Sequence, residues 1–257
     1  MPSKGKKHVT RGKKYTKGSA RTNPGFRKKV LSVIKRTQEI KINVQSQDSQ
    51  GIQFYDPNTP ANMTYLDLTN ACINQISTGA DNISRIGTKI SVRSWVIKGS
   101  IVSNATANRP FYVKAIILKS KVNTDYSTNL FTDLFERNSG GTAPINTLSD
   151  IYTPIDKDNY TVYAMRVFKL GNSTTTSNPN NDFSVSRMFS INMTKHFKSF
   201  EWKDNGTTTI LASPSNLYMI FVGCNADNTP VYGGSGGTWN GPSSEYSYTS
   251  CIRFTDD

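Results

Sequence analysis

Two hydrophobic periods divide the chain. Between Asn23 and Arg36, the residues Phe26, Val30, Leu31 and Ile34 recur at helical spacing, with Asn23 placed as an N-cap and Pro24 at the first helical position. Arg27, Lys28, Lys29 and Lys35 surround them, so the pattern predicts a short basic amphipathic helix over 24–36. From Gln38 the period drops to two. Ile40, Ile42 and Val44 alternate with Glu39, Lys41 and Asn43, which predicts a strand. The segment Ile83–Val102 alternates for most of its length. Ile90, Val92, Ser94, Val96 and Lys98 share one side; Ser91, Arg93, Trp95 and Ile97 share the other, and Gly87 and Gly99 mark a bend or bulge.

Further strands are predicted over 111–122, 159–170, 186–203, 207–213, 216–226 and 246–254, with Asn205-Gly206 as a hairpin turn. The 216–226 run is the most apolar and is expected at the centre of a sheet. Leu130, Phe131, Leu134 and Phe135 fit one helical face, which predicts a short helix over 129–137. Loops are expected in 46–62, at 171–182 where no apolar residue occurs, and in the glycine-rich stretch 232–242. No repeat of 20–50 residues is present. Eight or nine strands with long connections predict an all-β body: a single eight-stranded jelly roll, two antiparallel sheets forming a sandwich, with one or two short helices.

Charge adds a second part. The first 36 residues hold thirteen cations, Lys4, Lys6, Lys7, Arg11, Lys13, Lys14, Lys17, Arg21, Arg27, Lys28, Lys29, Lys35 and Arg36, and no acid precedes Glu39. The remaining 221 residues carry 18 Lys/Arg against 18 Asp/Glu, so the net charge of +13 belongs to the N-terminal segment. So dense a like-charged segment repels itself and has too little apolar surface to fold alone. The composition predicts a disordered basic arm at 1–37, with the β body at 38–257. A polyanion is needed to neutralise the arm, and nucleic acid is the polyanion it fits best. The thirteen cations are thus the candidate nucleic-acid-binding residues.

Little else points to chemistry. Cys72, Cys224 and Cys251 are widely spaced, as small buried hydrophobes of a reducing compartment would be. His8 falls in the arm, and His196 falls in a predicted strand without a nearby Cys or carboxylate cluster. Asp156 and Asp158 read as a turn before the next strand, or as half of a hard-cation site; terminal Asp256 and Asp257 carry the same two readings. The glycines of 233–241 lack the helix and lysine of a phosphate loop. Trp202, Trp239, Tyr232, Tyr246 and Tyr248 fit either the edge of the core or a contact surface. No secretory signal or bilayer-length apolar run is read, so no membrane partner is expected.

The run Arg85-Ile-Gly-Thr-Lys-Ile-Ser-Val-Arg-Ser-Trp-Val-Ile-Lys-Gly resembles the first jelly-roll strand of capsid proteins from circular, Rep-encoding single-stranded DNA viruses. The coat protein of satellite tobacco necrosis virus is similar: an Arg-x-Gly turn, an alternating strand, then a glycine. Phe111–Lys119, the 130–136 segment, Asn159–Leu170, Leu217–Gly223 and a C-terminal aromatic strand follow in the family's order. The resemblance covers about 83–255 in pattern and the arm in composition. It implies a non-enzymatic shell protein, sixty copies in a T=1 particle, with arms inside on the genome. The implied partners are viral single-stranded nucleic acid, DNA before RNA, and further copies of the chain. A host import receptor reading the arm and a cell-surface receptor also follow. The implied locations are the virion and, during assembly, the host cell nucleus. The family's calcium ligands find no match residue by residue, so no cofactor is assigned; structural Ca²⁺ at subunit contacts stays open.

Two other classes fit parts of the pattern. A basic-tailed host nucleic-acid-binding protein would add basic or stacking residues on its β body, where this chain sums to neutral. A jelly-roll lectin or a cupin-like enzyme would need a sugar or metal site in the body, and the body has one histidine.

Overall fold

The computed structural model describes residues 25–26, 28–30, 33, 38–52, 64–103, 110–121, 134–136, 151–171, 186–204, 210–226 and 244–256. The chain forms two compact units, Met1–Gln38 and Glu39–Asp257. In the first, residues 25, 26, 28–30 and 33 are helical, and Phe26, Val30 and Val33 are exposed.

The second unit is an all-β sandwich of two antiparallel sheets. Its strands are β1 (Lys41–Ile52), β2 (Tyr65–Asp67), β3 (Lys89–Ser103), β4 (Phe111–Ser120), β5 (Tyr160–Leu170), β6 (Ser186–Asn192), β7 (Ser199–Asp204), β8 (Ile210–Ser213), β9 (Leu217–Asn225) and β10 (Ser244–Asp256). One sheet runs β1-β10-β3-β7-β8, with β6 also paired to β3; the other runs β2-β9-β4-β5. Ten strands are therefore described where eight or nine were expected. The short β2 lies in a stretch of weak alternation, and the single predicted strand 186–203 is two. Ser186–Asn192 pairs with the C-terminal half of β3 and Ser199–Asp204 with its N-terminal end. Between them Met193 N–H donates to the Trp95 carbonyl at 2.8 Å, and the Trp95 N–H donates to Thr194 Oγ1 at 2.9 Å. These bonds tie the intervening turn to the middle of β3.

The core lies between the sheets, around Trp95, Phe200, Phe221 and Phe254. The Trp95 ring sits 5.3 Å from Phe197 and 5.4 Å from Phe200, and its Nε1–H donates to Ser250 Oγ at 2.9 Å. A buried indole thus keeps a partner for its one donor. Both alternating sets of β3 reach this core. Ile90 and Val92 are buried at even positions, Trp95, Ile97 and Ile101 at odd ones. The change of parity is a bulge: Arg253 of β10 faces Ser94 and Phe254 faces Val92, so Arg93 is the extra residue. The expected bulge at Gly99 is absent, since Gly99 pairs regularly with Tyr248. Gly87 does form a bend, with φ +86.

The second sheet is covered on both faces. Ile116 and Leu118 of β4 and Ile220 and Val222 of β9 pack outward against Leu134, Phe135, Ile155 and Tyr160. That is why β9 reads as a continuous apolar run and is buried at all its positions. Leu134–Glu136 is extended and Phe135 bridges Ile155, so this part of the predicted 129–137 helix is not helical; 129–133 and 137 lie outside the described residues. Apolar spacing fitted a helix because these residues cover a sheet face.

In β1 the polar set faces inward. Lys41 and Asn43 are buried while Ile40, Ile42 and Val44 are exposed. Lys41 Nζ lies 2.9 Å from Asp256 Oδ2 and donates to the Ser84 carbonyl, also at 2.9 Å. Asp256 Oδ1 accepts the Ile86 N–H at 2.9 Å. Arg85 anchors the same turn: its guanidinium lies 4.2 Å over the Trp202 ring and donates to the carbonyls of Ile76 and Gly87.

The two glycines around β3 separate two causes of glycine use. A Cβ on Gly99 would sit 2.3 Å from the Ser247 carbonyl oxygen and 2.6 Å from Phe189 Cζ, whereas one on Gly87 would meet open space at a strained φ. Gly99→Ala should therefore cost about 3 kcal/mol by overpacking, and Gly87→Ala about 1–2 kcal/mol by left-handed strain. Urea melts of the two variants check this; equal losses would contradict the close-approach explanation.

Candidate nucleic-acid interface

Of the thirteen arm cations, Lys28 and Lys29 are described, both exposed on helical residues. Lys4, Lys6, Lys7, Arg11, Lys13, Lys14, Lys17, Arg21, Arg27, Lys35 and Arg36 lie outside the described residues.

The body has a local basic surface that its neutral sum conceals. On the outward face of the second sheet, Tyr112 pairs with Lys169, Lys114 with Val167 and Ile116 with Met165. The 151–157 segment lies over the middle of this face, held by Ile155 on Phe135. Between it and β5 is a cavity of about 1220 Å³. Val162, Met165 and Val167 line it and are 38%, 46% and 48% exposed. Lys114, Lys121, Lys157, Lys169 and Arg187 line it too, and among the described residues no carboxylate does. Lys114, Lys121, Lys169 and Arg187 each meet a neutral group. Lys121 donates to the Lys157 carbonyl, Lys169 Nζ lies 5.4 Å over the Tyr112 ring, and Arg187 Nε donates to the Lys169 carbonyl at 3.2 Å. Buried Lys114 donates to the Thr153 carbonyl at 3.3 Å and lies 5.6 Å over the Phe135 ring. Lys121, Lys157, Lys169 and Arg187 make no ion pair among the described residues. The sequence offered no signal for this cluster, because its members come from four separate stretches.

The other candidates resolve into structural roles. Trp202, Tyr246 and Tyr248 are buried in the core, while Tyr232 and Trp239 lie outside the described residues, as do 172–185 and 227–243. The Asp156 carboxylate accepts the Asp158 N–H and an Asn159 Nδ2–H, both at 2.7 Å, which is the turn geometry that leads into β5. Among the described residues no three His, Cys, Asp or Glu side chains converge as metal ligands would, and no helix is long and apolar enough to cross a membrane. Cys72 and Cys224 are buried and Cys251 half-buried, all as free thiols. Burial pushes the Cys72 thiol up to about 11, away from nucleophilic reactivity. No protein-family model matches the chain, and no curated protein matches its sequence.

His196 sits in the turn after β6 rather than in a strand, its ring 5.1 Å from Tyr163. Desolvation lowers its pKa first, adjacent Lys195 lowers it further, and a backbone hydrogen bond with Tyr163 opposes both. A depressed histidine pKa means that the unfolded chain takes up the proton more readily. The associated stability is present above the ordinary value of about 6.5 and is lost as pH falls through the folded value. His196→Gln should flatten that part of the melting-temperature profile and leave the profile above pH 7 unchanged; parallel profiles for both proteins would contradict it.

Proposed function

We propose that the chain is a capsid protein, a single jelly roll that self-assembles into a small icosahedral shell and packages a single-stranded genome through its basic arm. The observation that carries the proposal is strand pairing. Setting the β7–β8 hairpin aside leaves eight strands. In chain order they pair first with last, second with seventh, third with sixth and fourth with fifth: β1 with β10, β2 with β9, β3 with β6, β4 with β5. This is one antiparallel ribbon doubled back on itself. Rolling it up adds β10 with β3 and β9 with β4, and so divides the ribbon between two sheets. Such a roll is two Greek keys, an architecture used by viral shell domains. Under this reading β3 is the third strand, so the likeness of Arg85–Gly99 to a first capsid strand is one of pattern, not of position.

Lectin and cupin domains use the same roll. What favours a shell is the division of charge, with thirteen cations in 1–36 and 18 against 18 in the rest. Neutral bodies approach one another without net repulsion, while the arms neutralise phosphate. In a sixty-copy T=1 particle the arms would bring about 780 positive charges to the genome. DNA is favoured over RNA, and the nucleus as the assembly site, on the family resemblance alone.

Full-length protein with single-stranded DNA at low salt should give discrete particles by electron microscopy. Nucleic-acid affinity should fall with a log–log salt slope on the order of −9 if all the arm cations meet phosphate. Deleting 2–36 should leave a folded body that assembles empty or not at all. A full-length chain that stays monomeric at micromolar concentration overturns the shell reading, and a truncated chain that still packages overturns the role of the arm.

A further inference from the structure

We propose that the groove between β5 and the 151–157 segment is a second nucleic-acid contact, built on the body, which takes a short stretch of single strand. This rests on the reading above that the chain packages nucleic acid, and it adds a site that the neutral sum of the body gives no reason to expect.

Charge complementarity selects a polyanion. Lys121, Lys157, Lys169 and Arg187 line the groove without a carboxylate among its described lining residues, and buried Lys114 adds a fifth positive group at its floor. Lys121, Lys169 and Arg187 meet carbonyls and a ring, so among the described residues phosphate oxygens would not have to displace an ion pair there. The remaining walls select a polyanion that has flat apolar groups. Val162, Met165 and Val167 leave apolar surface open on one side, and the Tyr152 ring stands 77% exposed on the other. A cationic track beside apolar and aromatic surface is how single strands are held without sequence preference. The size fits a length of chain. At about 1220 Å³ the groove exceeds the ~300–1,000 Å³ usual for small-molecule pockets.

The test uses the full-length protein and a thymidine oligonucleotide carrying photoreactive 4-thiothymine. Irradiation followed by peptide mapping should find crosslinks on the peptide containing Tyr152 in addition to any in 1–36. Lys169→Gln with Arg187→Gln, both at exposed positions, should lower that crosslink by about tenfold and leave crosslinks to the arm unchanged. The log–log salt slope should become shallower by about 1.4, at roughly 0.7 per cation removed from a single strand. Tyr152→Ala should weaken the groove crosslink without altering the salt slope, because it removes stacking and no charge. Crosslinks confined to 1–36 overturn the groove and leave the arm reading intact. No crosslink anywhere under saturating oligonucleotide overturns both. Loss of binding to a sulfated polysaccharide in the double variant, with oligonucleotide crosslinks unmoved, overturns the nucleic-acid assignment in favour of a glycan.

Discussion

The sandwich depends on what β3 is required to do. This one strand pairs with β10 along nearly its whole length, with β6 on its C-terminal half and with β7 at its N-terminal end. It must also present apolar side chains to a single core from end to end. A regular strand of this sequence would fail, because Ile90 and Val92 sit on the opposite parity from Trp95, Ile97 and Ile101. One extra residue, Arg93, reverses the parity and puts both sets inside. The bulge lies next to the place where β3 changes partners from β7 to β6, and Trp95 stands beside it. Through backbone bonds to Met193 and Thr194 and a side-chain bond to Ser250, Trp95 couples the bulge to the turn between β6 and β7 and to β10. Register, core and partner exchange are thus fixed at one point.

The edge beyond β10 follows a different logic. There the inward face of β1 is polar, and it is tolerated because Lys41 meets Asp256 and the Ser84 carbonyl, while Asn43 donates to the Gln75 carbonyl at 3.4 Å. Satisfying those groups inward forces Ile42 and Val44 outward by the twofold period of a strand. Ile40, Ile83 and Ile86 are exposed as well, and the Ile42 N–H bonds to Asn82, which brings the 81–86 turn alongside β1. The apolar residues there are outside because the chain places the Lys41–Asp256 pair inside. Under the proposed assembly, contact between copies would remove an apolar exposure that a solitary subunit has to bear.

How much of this could be read from the chain follows from where each signal is stored. Period-two alternation and short continuous apolar runs are both local, so β3, β5 and β10 were legible from the first and β4 and β9 from the second, and so was the antiparallel all-β class. The 134–136 segment was misread because covering a sheet face needs the same clustered leucine and phenylalanine as a short helix face. The break in 186–203 was masked because Met193, Phe197 and Phe200 are all buried and keep apolar residues coming through the turn, although the buried parity changes from odd at Phe189, Ile191, Met193 and Phe197 to even at Phe200 and Trp202. Gly99 was noticed for the wrong reason: its small size serves a neighbour distant in sequence, Phe189, and not its own backbone angle. The arm was legible because charge density needs no tertiary information.

The groove on the second sheet marks the limit of composition as a guide to binding. Equal counts of 18 Lys/Arg and 18 Asp/Glu in the body set the far field to zero and say nothing about its distribution. At physiological salt, charges act over a Debye length of about 8 Å. What a passing phosphate meets is therefore the handful of groups around it, not the sum over the body. In this fold the ends of β4 and β5, the start of β6 and the turn before β5 bring Lys121, Lys169, Arg187 and Lys157 around one apolar cleft. Asp256, by contrast, is committed to Lys41 and the Ile86 N–H on the other sheet, and Asp156 to its own turn. Neutrality overall and local positive charge are compatible because folding ties Asp256 and Asp156 into structural bonds and leaves Lys121, Lys169 and Arg187 to neutral partners. Under the proposed assembly, a body that meets both other bodies and a polyanion has reason to be built this way, since net charge would oppose the first contact while a confined cluster serves the second.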